Sequence, residues 1–178
     1  MSLMSKPKLY MMCGLSGSGK TTFAKAFASE HHLHYINPDR FYEMLNGDEC
    51  NHYNEFEVWM TIFRALHMAE QDKVNTIFDT NALTVVDRTQ ILNWFPDFEP
   101  ILIYICADFD LCLKNNASRR RVVPKAAMCS MIQKLEPPSF NEDARWKEMY
   151  VYKNDNNKLT LKKHYIRDDL TNNSKSKN

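Results

Sequence analysis

The sequence is poor in glycine, has no paired cysteine motif and contains no long apolar run. Only four of its 178 residues are glycine, and three of these are Gly14, Gly17 and Gly19. Its five cysteines occur without any Cys-x-x-Cys spacing, which argues against both a disulfide framework and a zinc site. No apolar run approaches the roughly 20 residues that cross a membrane, and the N-terminus lacks a secretory apolar segment. These absences predict a cytoplasmic protein with reduced thiols and no membrane partner.

Charge and length narrow the class of protein further. The formal net charge is +1, so the chain lacks the basic field of proteins that coat duplex nucleic acid, and any such contact would be local. A chain of 178 residues is long enough for one domain with its own core. We predict that this domain covers residues 8–167. It follows an extension at 1–7 that resembles a cloning remnant and precedes a polar tail at 168–178 that we expect to be disordered.

Short apolar segments alternate with helical patterns along the chain. Buried strands are predicted at residues 8–13, 34–37, 75–79 and 100–106, with a last strand at "EMYVYK". Helices are predicted from Lys20, from Pro38 with Asn37 as N-cap, over 54–73, from Thr84 with Asp87 in a capping box, from Asp108 and from Pro124. The 54–73 helix is expected to turn these residues inward: Phe56, Trp59, Met60, Phe63 and Leu66.

This alternation of strands and helices predicts an α/β fold. Right-handed crossovers between strands give a parallel central sheet covered by helices on both faces, a three-layer α/β/α arrangement. Ligands of such sheets bind outside the carboxyl ends of the strands. Candidate functional residues are therefore sought immediately after each predicted strand.

The glycine cluster follows the first predicted strand and matches the phosphate-binding pattern G-x-x-x-x-G-K-[ST], from Gly14 to Thr21. Glycines at these positions let successive N–H groups converge on phosphate oxygens at a helix N-terminus. Lys20 would reach the β- and γ-phosphates of ATP, and the Thr21 hydroxyl would bind Mg²⁺. The predicted nucleotide-binding residues of the loop are Gly14, Ser16, Gly17, Ser18, Gly19, Lys20, Thr21 and Thr22. A kinase, an ATPase or a switch protein could use this loop.

Acidic and basic residues near other strand ends allow two interpretations each. Asp39 could accept a proton from an attacking hydroxyl, or it could be an acid favoured by the helix dipole. Asp79 could lie near Mg²⁺ or an arginine, or it could form a strand-ending turn. The run "SRRR" at 118–121 could bring an arginine onto transferring phosphates, or it could be a solvated loop.

Four segments in this order resemble the P-loop kinases related to the kinase domain of phage polynucleotide 5′-kinase. They are "GLSGSGKTT", "INPDRF", "FDTNALTVVDR" and "CLKNNASRRRVVP", and the similarity runs from about Leu9 to Leu135. The resemblance implies a P-loop NTPase fold with an arginine-bearing lid, and ATP and Mg²⁺ as cofactors. It implies that Asp39 is the base that activates the acceptor hydroxyl and that Arg119 is the lid arginine that binds the phosphates. Asp79, with Asn81 beside it, would support the metal and the lid arginine.

Two departures from the family pattern leave the acceptor open. Tyr42 stands where the phage enzyme has an arginine that contacts the acceptor's phosphate, and Asn115-Asn116 stands where relatives often have Arg-Asn. We predict an ATP-dependent kinase that acts on the 5′-OH of a single-stranded DNA or RNA end. The alternatives are a small-molecule kinase acting on a nucleoside, sugar or antibiotic hydroxyl, and a nucleotide-binding module without kinase activity. The preference between ATP and GTP and the oligomeric state are not indicated by these patterns.

Overall fold

The computed structural model of the protein describes residues 6–49 and 51–167. Its strands are β1 (Lys8–Cys13), β2 (His34–Ile36), β3 (Thr76–Phe78), β4 (Glu99–Ala107), β5 (Glu148–Asp155) and β6 (Lys158–Ile166). Its helices are α1 (Lys20–His31), α2 (Pro38–Asn46), α3 (Glu55–Gln71), α4 (Val85–Trp94), α5 (Phe109–Ala117) and α6 (Lys125–Lys134). The predicted tail at 168–178 and most of the predicted extension at 1–7 lie outside the described residues. Among the helices within these ranges, none combines the length and apolarity that a membrane crossing requires.

The strands form one sheet in the spatial order β2-β3-β1-β4-β5-β6. All pairings from β2 to β5 are parallel, as a fold with alternating strands and helices requires. The predicted α/β fold with a mainly parallel sheet is therefore confirmed. The expected last strand at 148–153 is β5, but β6 follows it as an antiparallel edge strand that the sequence analysis missed.

Alternation along β4 divides the apolar interior between the two faces of the sheet. Leu102 and Tyr104 belong to a cluster that also contains side chains of α2, α3 and α4. Ile103 and Ile105 belong to a second cluster that contains Ala24 and other side chains of α1. Because successive side chains of a strand point to opposite faces, one strand serves both clusters. The result is a sheet between two helical layers.

Helix α3 packs on the sheet through a different row of residues from the predicted one. Leu66 is fully buried as expected, and Trp59 and Phe63 are partly buried against the core. The prediction is wrong for Phe56 and Met60, which are 77% and 37% exposed. The fully buried apolar row is instead Val58, Ile62, Leu66 and Ala69. Apolar residues cover more than one row of this helix, so their spacing alone does not select the row that faces the sheet.

Two helix starts near the sheet edge follow the capping signals in the sequence. The side chain of Asn37 accepts a hydrogen bond from the backbone N–H of Arg40, with Pro38 as the first residue of α2. Thr84 and Asp87 form both hydrogen bonds of a capping box at the start of α4. Both predicted helix starts are therefore confirmed. The first of them places Asp39 in the opening turn of α2, directly after β2.

The cysteines of the described ranges are free thiols. Cys13 and Cys112 are buried, and burial raises the pKa of Cys13 to about 12 and the pKa of Cys112 to about 11. Both side chains are therefore protonated at neutral pH and pack as small apolar groups. Cys106 and Cys129 are partly buried. The fifth cysteine, Cys50, lies outside the described residues.

Candidate active site

A cavity of about 850 Å³ lies where β1, β2 and β3 end. Most of the residues predicted for a nucleotide site line it. These are Ser16, Gly17, Gly19, Lys20, Thr21 and Thr22 of the glycine loop, Asp39 after β2, Asp79 and Asn81 after β3, and Arg119. Gly14 and Ser18 are predicted nucleotide-binding residues that do not line the cavity, and Ser18 is fully buried. The convergence of strand ends therefore brings the predicted groups together from segments far apart in sequence.

Glycine is required in the loop because neighbouring backbone presses against it. Gly14 has a φ of 139°, and a Cβ at this position would lie 2.5 Å from the carbonyl oxygen of Ile105. Gly17 has a φ of 82°, and a Cβ there would collide with the carbonyl oxygen of Cys112. An L side chain is strained at these φ values even in open space. The loop is therefore packed between β4 and α5 in a conformation that only glycine adopts at low cost.

Side chains hold three carbonyl groups of the loop. The Lys20 ammonium donates to the carbonyl oxygen of Leu15 at 2.7 Å. The amide of Asn115 in α5 donates to the Gly17 carbonyl at 2.9 Å, and the amide of Asn154 in β5 donates to the Ser18 carbonyl at 2.8 Å. Side-chain donors thus occupy these three carbonyl oxygens. The first N–H groups of α1 have no partner within the helix, so they can bind an anion.

Neither asparagine was a predicted site residue. Asn154 belongs to an otherwise ordinary strand, and the position of Asn115 was noted only as a departure from the family pattern. The Asn115 amide also donates to Asn157 Oδ1 at 2.8 Å, in the turn between β5 and β6. This turn therefore borders the cavity, so the hairpin of β5 and the unpredicted β6 takes part in the site.

Lys20 is a buried cation at the end of the phosphate loop, where α1 begins. Its side chain is almost completely removed from solvent. Burial lowers the pKa of Lys20 to about 8, the carboxylate of Asp79 opposes this shift, and the charge of Arg119 adds a smaller lowering effect. Lys20 therefore interacts with a negative and a positive side chain that line the same cavity. An anion in the cavity would favour its charged form.

Asp79 is buried and held by residues of β2 and its end. Its Oδ2 atom accepts hydrogen bonds from the Tyr35 hydroxyl and from the Asn37 amide, both at 2.8 Å. Burial and the neighbouring Asp79 carboxylate raise the pKa of Tyr35, so the phenol stays a donor. Tyr35 and Asn37 were not predicted as site residues. No hydrogen bond or ion pair joins Asp79 to Arg119 in the described part of the chain, so the support of the lid arginine by Asp79 stays a prediction.

The three arginines after α5 occupy three different surroundings. They belong to residues 118–124, which connect α5 to α6 and are called the lid segment here. Arg119 is exposed and lines the cavity. Arg120 is 83% exposed and lies 3.6 Å from a carboxylate oxygen of Glu43. Arg121 is mostly buried and forms an ion pair with Asp39. The arginine that reaches the predicted base is therefore Arg121, two residues beyond the predicted lid arginine.

The part of the cavity lining that includes Asp39 and its neighbours is called the distal end here. Its polar and aromatic lining consists of Asp39, Tyr42, His52, Glu55, Trp59 and Arg121. Tyr42 is only 3% exposed, its hydroxyl donates to Glu55 Oε1 at 3.4 Å, and its ring centroid lies 4.4 Å from that of His52. Burial and the nearby Glu55 carboxylate raise the pKa of Tyr42. Tyr42 is thus a fixed wall of the distal end.

The loop end of the cavity contains the groups that a nucleotide and Mg²⁺ would need. Glycines stand where a Cβ would collide, the start of α1 presents N–H groups, and Lys20 supplies a cation. The hydroxyl of Thr21 and the carboxylate of Asp79 both line the cavity. Hydroxyl and carboxylate oxygens are the ligands that Mg²⁺ takes from proteins when phosphates supply others. The residues present therefore fit a magnesium–nucleotide complex.

Solved structures of a sugar kinase, of an RNA repair complex and of a protein bound to ADP-AlF3 share this fold. A sugar kinase from Janibacter sp. HTCC2649 has 21% identity and a TM-score of 0.60, with 83% of this chain and 85% of that chain covered. A chain of the Pnkp1/Rnl/Hen1 RNA repair complex has 18% identity and a TM-score of 0.68, with 75% of this chain and 45% of that chain covered. Chaetomium thermophilum Kti12, in complex with ADP-AlF3, has 16% identity and a TM-score of 0.63, with 83% and 91% covered. At these identities the likeness concerns the fold alone.

Sequence comparison places the chain in a family. No curated protein sequence gives a significant match. The AAA_33 family, described as an AAA domain, matches residues 9–138. This range contains the glycine loop, Asp39, Asp79 and the lid segment, which line most of the cavity. The chain therefore belongs to the AAA_33 family of P-loop AAA domains.

Proposed function

We propose that this protein is a P-loop kinase that transfers the γ-phosphoryl group of ATP to a hydroxyl group. The observation that carries the proposal is the placement of Asp39. Its carboxylate lines the same cavity as Lys20 and the glycine loop. A carboxylate there can accept the proton of a hydroxyl that approaches the outermost phosphate. A protein that only binds nucleotides has no need of such a group.

Each remaining residue has a role in this proposal. The N–H groups of the loop and Lys20 bind the β- and γ-phosphates, and Arg119 neutralises charge that develops during transfer. Thr21 and Asp79 would hold Mg²⁺, which, when bound, neutralises charge on the phosphate oxygens. Tyr35 and Asn37 hold the Asp79 carboxylate in position.

The transfer itself exchanges one phosphorus–oxygen bond for another. The acceptor oxygen forms a bond to the γ-phosphorus, and the bond from that phosphorus to the bridging oxygen of the β-phosphate breaks. The hydroxyl proton passes to the Asp39 carboxylate, and ADP leaves with the bridging oxygen. Negative charge therefore develops on the departing β-phosphate, where Lys20 and the loop N–H groups can stabilise it.

We propose the 5′-OH of a DNA or RNA end as the acceptor. The motif resemblance to phage polynucleotide 5′-kinase supports this choice. The exposed ring of His52 and the partly buried ring of Trp59 at the distal end also support it, because bases of single strands stack on aromatic side chains.

A small hydroxyl compound is the second candidate acceptor. The observation that favours it is the pair formed by Tyr42 and Glu55 at the distal end. Tyr42 replaces an arginine of the resembling family, and the Glu55 carboxylate can accept hydrogen bonds from sugar hydroxyls. A sugar or nucleoside would satisfy both groups without bringing a phosphate to this end.

Transfer of labelled phosphate from ATP tests the proposal. The protein is incubated with Mg²⁺, labelled ATP and either a 5′-OH oligonucleotide or a panel of nucleosides and sugars. Asp39→Asn should lower transfer by about 10²- to 10⁴-fold and change ATP affinity by less than about threefold, because it removes the base but leaves the loop. Asp110→Asn is the matched control, since Asp110 is an exposed acid in the first turn of α5.

The outcomes separate the alternatives. Transfer to the oligonucleotide supports the proposed acceptor, and transfer to a small compound alone supports the second candidate. ATP binding without transfer to any acceptor would leave a nucleotide-binding module. Full transfer by Asp39→Asn would remove the proposed base from the mechanism.

A further inference from the structure

The lid segment is fixed to the last turn of α5 by one buried asparagine. The side-chain N–H of Asn116 donates to the Val123 carbonyl at 2.7 Å, and its Oδ1 atom accepts from the Val123 N–H at 3.0 Å. The backbone carbonyl of Asn116 accepts from the N–H of Arg119 at 3.2 Å. Residues 117–122 therefore form a short loop whose two ends are joined through Asn116.

The contact between Asn116 and Val123 is a strong constraint because it is buried and two-pronged. Asn116 is 4% exposed, so loss of these hydrogen bonds would leave buried polar groups unpaired. A primary amide carries the same kinds of donor and acceptor as a peptide group, and here it pairs with both backbone groups of one residue. Val123 also packs against an apolar cluster that contains Cys112 and Met128. Polar and apolar contacts thus anchor the lid segment together.

The same turn of α5 is fixed to the phosphate loop. Asn115 precedes Asn116 and donates to the Gly17 carbonyl at 2.9 Å. The Cys112 carbonyl also lies against Gly17, where it would collide with a Cβ. Two consecutive asparagines of one helix turn therefore contact the phosphate loop and the lid segment. The spacing between the loop and the lid is thus set by α5.

Arg119 is carried by the loop that Asn116 closes, and its charge acts on the phosphate loop. It lines the cavity, and its positive charge contributes to the lowered pKa of Lys20. The side chain of Arg119 is exposed, so the backbone that carries it limits where the guanidinium can go. A fixed backbone lowers the conformational entropy that is lost when the guanidinium binds a phosphate oxygen.

We propose that Asn116 is a positioning residue that holds Arg119 where charge develops during phosphoryl transfer. The inference rests on the kinase function proposed above and extends it to a residue that does not line the cavity. Asn116 acts through the backbone, at the N–H of Arg119 and at both peptide groups of Val123. Stabilisation of a transition state requires groups that are already in place. A small displacement of Arg119 therefore lowers the rate although the arginine is still present.

Binding of a transition-state analogue tests this role without turnover. Calorimetry measures the affinity of the full chain for Mg²⁺–ADP with and without aluminium fluoride, which mimics the transferring phosphoryl group. Arg119→Gln should reduce the gain in affinity from aluminium fluoride by about 100-fold, and Asn116→Ala should reduce it by about 10-fold. Both variants should bind Mg²⁺–ADP alone within about threefold of the wild type, because the phosphate loop is unchanged.

The double variant Asn116→Ala/Arg119→Gln separates a positioning role from a merely structural one. If Asn116 acts through Arg119, removing the arginine also removes the effect of Asn116. The double variant should therefore bind the analogue as Arg119→Gln does. Losses that multiply would mean that Asn116 supports the site by another route, and they would overturn the proposal. An Asn116→Ala variant that keeps the wild-type gain would overturn it as well.

Asn93→Ala is the matched control for the loss of a side-chain hydrogen bond. Asn93 is an exposed residue of α4, and its amide oxygen accepts from Arg145 at 2.8 Å. It does not line the cavity, so the control should keep the full gain from aluminium fluoride. An equal loss in Asn93→Ala would overturn the assignment to Asn116.

Limited proteolysis measures directly whether Asn116 holds the lid segment. Trypsin cleaves after arginine, and the lid segment contains three arginines. The lid of Asn116→Ala should be cleaved about 10-fold faster than that of the wild type, while its melting temperature should fall by only about 2–6 °C. Cleavage of the lid at the wild-type rate would show that Asn116 does not hold it and would overturn the proposal.

The transfer assay keeps this proposal separate from the proposed function. With labelled ATP, Asn116→Ala should lower kcat by about 10-fold and change KM for ATP by less than about threefold. Non-additive losses of analogue binding in a protein that labels no acceptor would refute the kinase and leave Asn116 as the residue that positions Arg119 at the nucleotide. Efficient transfer that Asn116→Ala leaves unchanged would refute the role of Asn116 and leave the kinase standing.

Discussion

Replacing the lysine of the phosphate loop should stabilise the protein while it abolishes function. Lys20 is buried, and burial lowers its pKa from 10.5 to about 8. The unfolded chain keeps the proton up to about pH 10.5, so the folded state holds the charged ammonium at a cost. Methionine has a similar length and no charge. Lys20→Met therefore removes the cost of burying a cation.

The magnitude follows from the pKa of Lys20. A lowering from 10.5 to about 8 corresponds to about 3 kcal/mol of folding free energy at pH 7. Loss of the 2.7 Å hydrogen bond to the Leu15 carbonyl offsets about 1 kcal/mol of this. We expect Lys20→Met to be about 2 kcal/mol more stable than the wild type at pH 7, which corresponds to a melting temperature about 4–8 °C higher.

The pH dependence has a definite sign. Between about pH 8 and 10.5 the unfolded state binds more protons than the folded state, so wild-type stability rises with pH in this window. The advantage of Lys20→Met should therefore be largest at pH 7 and should fall by about 1 kcal/mol at pH 9. Mg²⁺–ATP should raise the melting temperature of the wild type and leave that of the variant unchanged.

Urea denaturation at pH 7 and pH 9, with tryptophan fluorescence as the signal, measures these differences. Lys25→Met is the control, because Lys25 is an exposed residue of the same helix and should show neither the gain nor its pH dependence. A Lys20→Met protein less stable than the wild type at pH 7 would refute the reasoning. An advantage of equal size at both pH values would do so as well, because the cost would then not come from the buried charge.

Two further substitutions test the supports of the cavity. Arg88 is fully buried and makes a two-pronged ion pair with Glu142 at 2.6 and 2.7 Å. Arg88→Ala should lower the free energy of unfolding, measured by urea denaturation, by about 3–5 kcal/mol, because it leaves a buried carboxylate unpaired. The double variant Arg88→Ala/Glu142→Gln should recover part of this loss, and equal stability of the single variant and the wild type would contradict the expectation. Asn154→Ala removes the buried donor to the Ser18 carbonyl, and calorimetry should show ATP binding about fivefold to tenfold weaker, with a melting temperature lower by about 2–6 °C. Unaltered ATP affinity would mean that the loop keeps its shape without this contact.

Apolar segments and capping patterns in the sequence predicted the first strand and two helix starts. The strand before the glycine loop is a continuous apolar segment, and Asn37-Pro38 and Thr84–Asp87 are capping patterns with one interpretation. β6 was missed because most of its side chains are exposed and several are lysine, as suits an edge strand that must resist pairing with other chains. Such a strand presents no alternation of apolar and polar residues to detect.

The candidate site was predictable where a motif implies a position after a strand. Lys20 and Asp39 follow predicted strands, Asp79 ends one, and the structure brings all three to one cavity. Contacts between distant segments were not predictable in the same way. Asn154 and Arg121 act across 136 and 82 residues of sequence, and an asparagine in a strand or an arginine in a basic run carries no local sign of its partner. Such contacts form only when the tertiary fold brings distant segments of the chain together.

The contact between Asn154 and the Ser18 carbonyl joins residues 136 positions apart. During synthesis, the loop at the start of the chain emerges from the ribosome long before the strand that supports it. A nascent chain that stops short of β5 can form β1, α1 and their neighbours, but it lacks the amide that holds Ser18. Tight nucleotide binding should therefore be reached only late in translation. Truncated chains that lack β5 should release nucleotide more readily than the full chain.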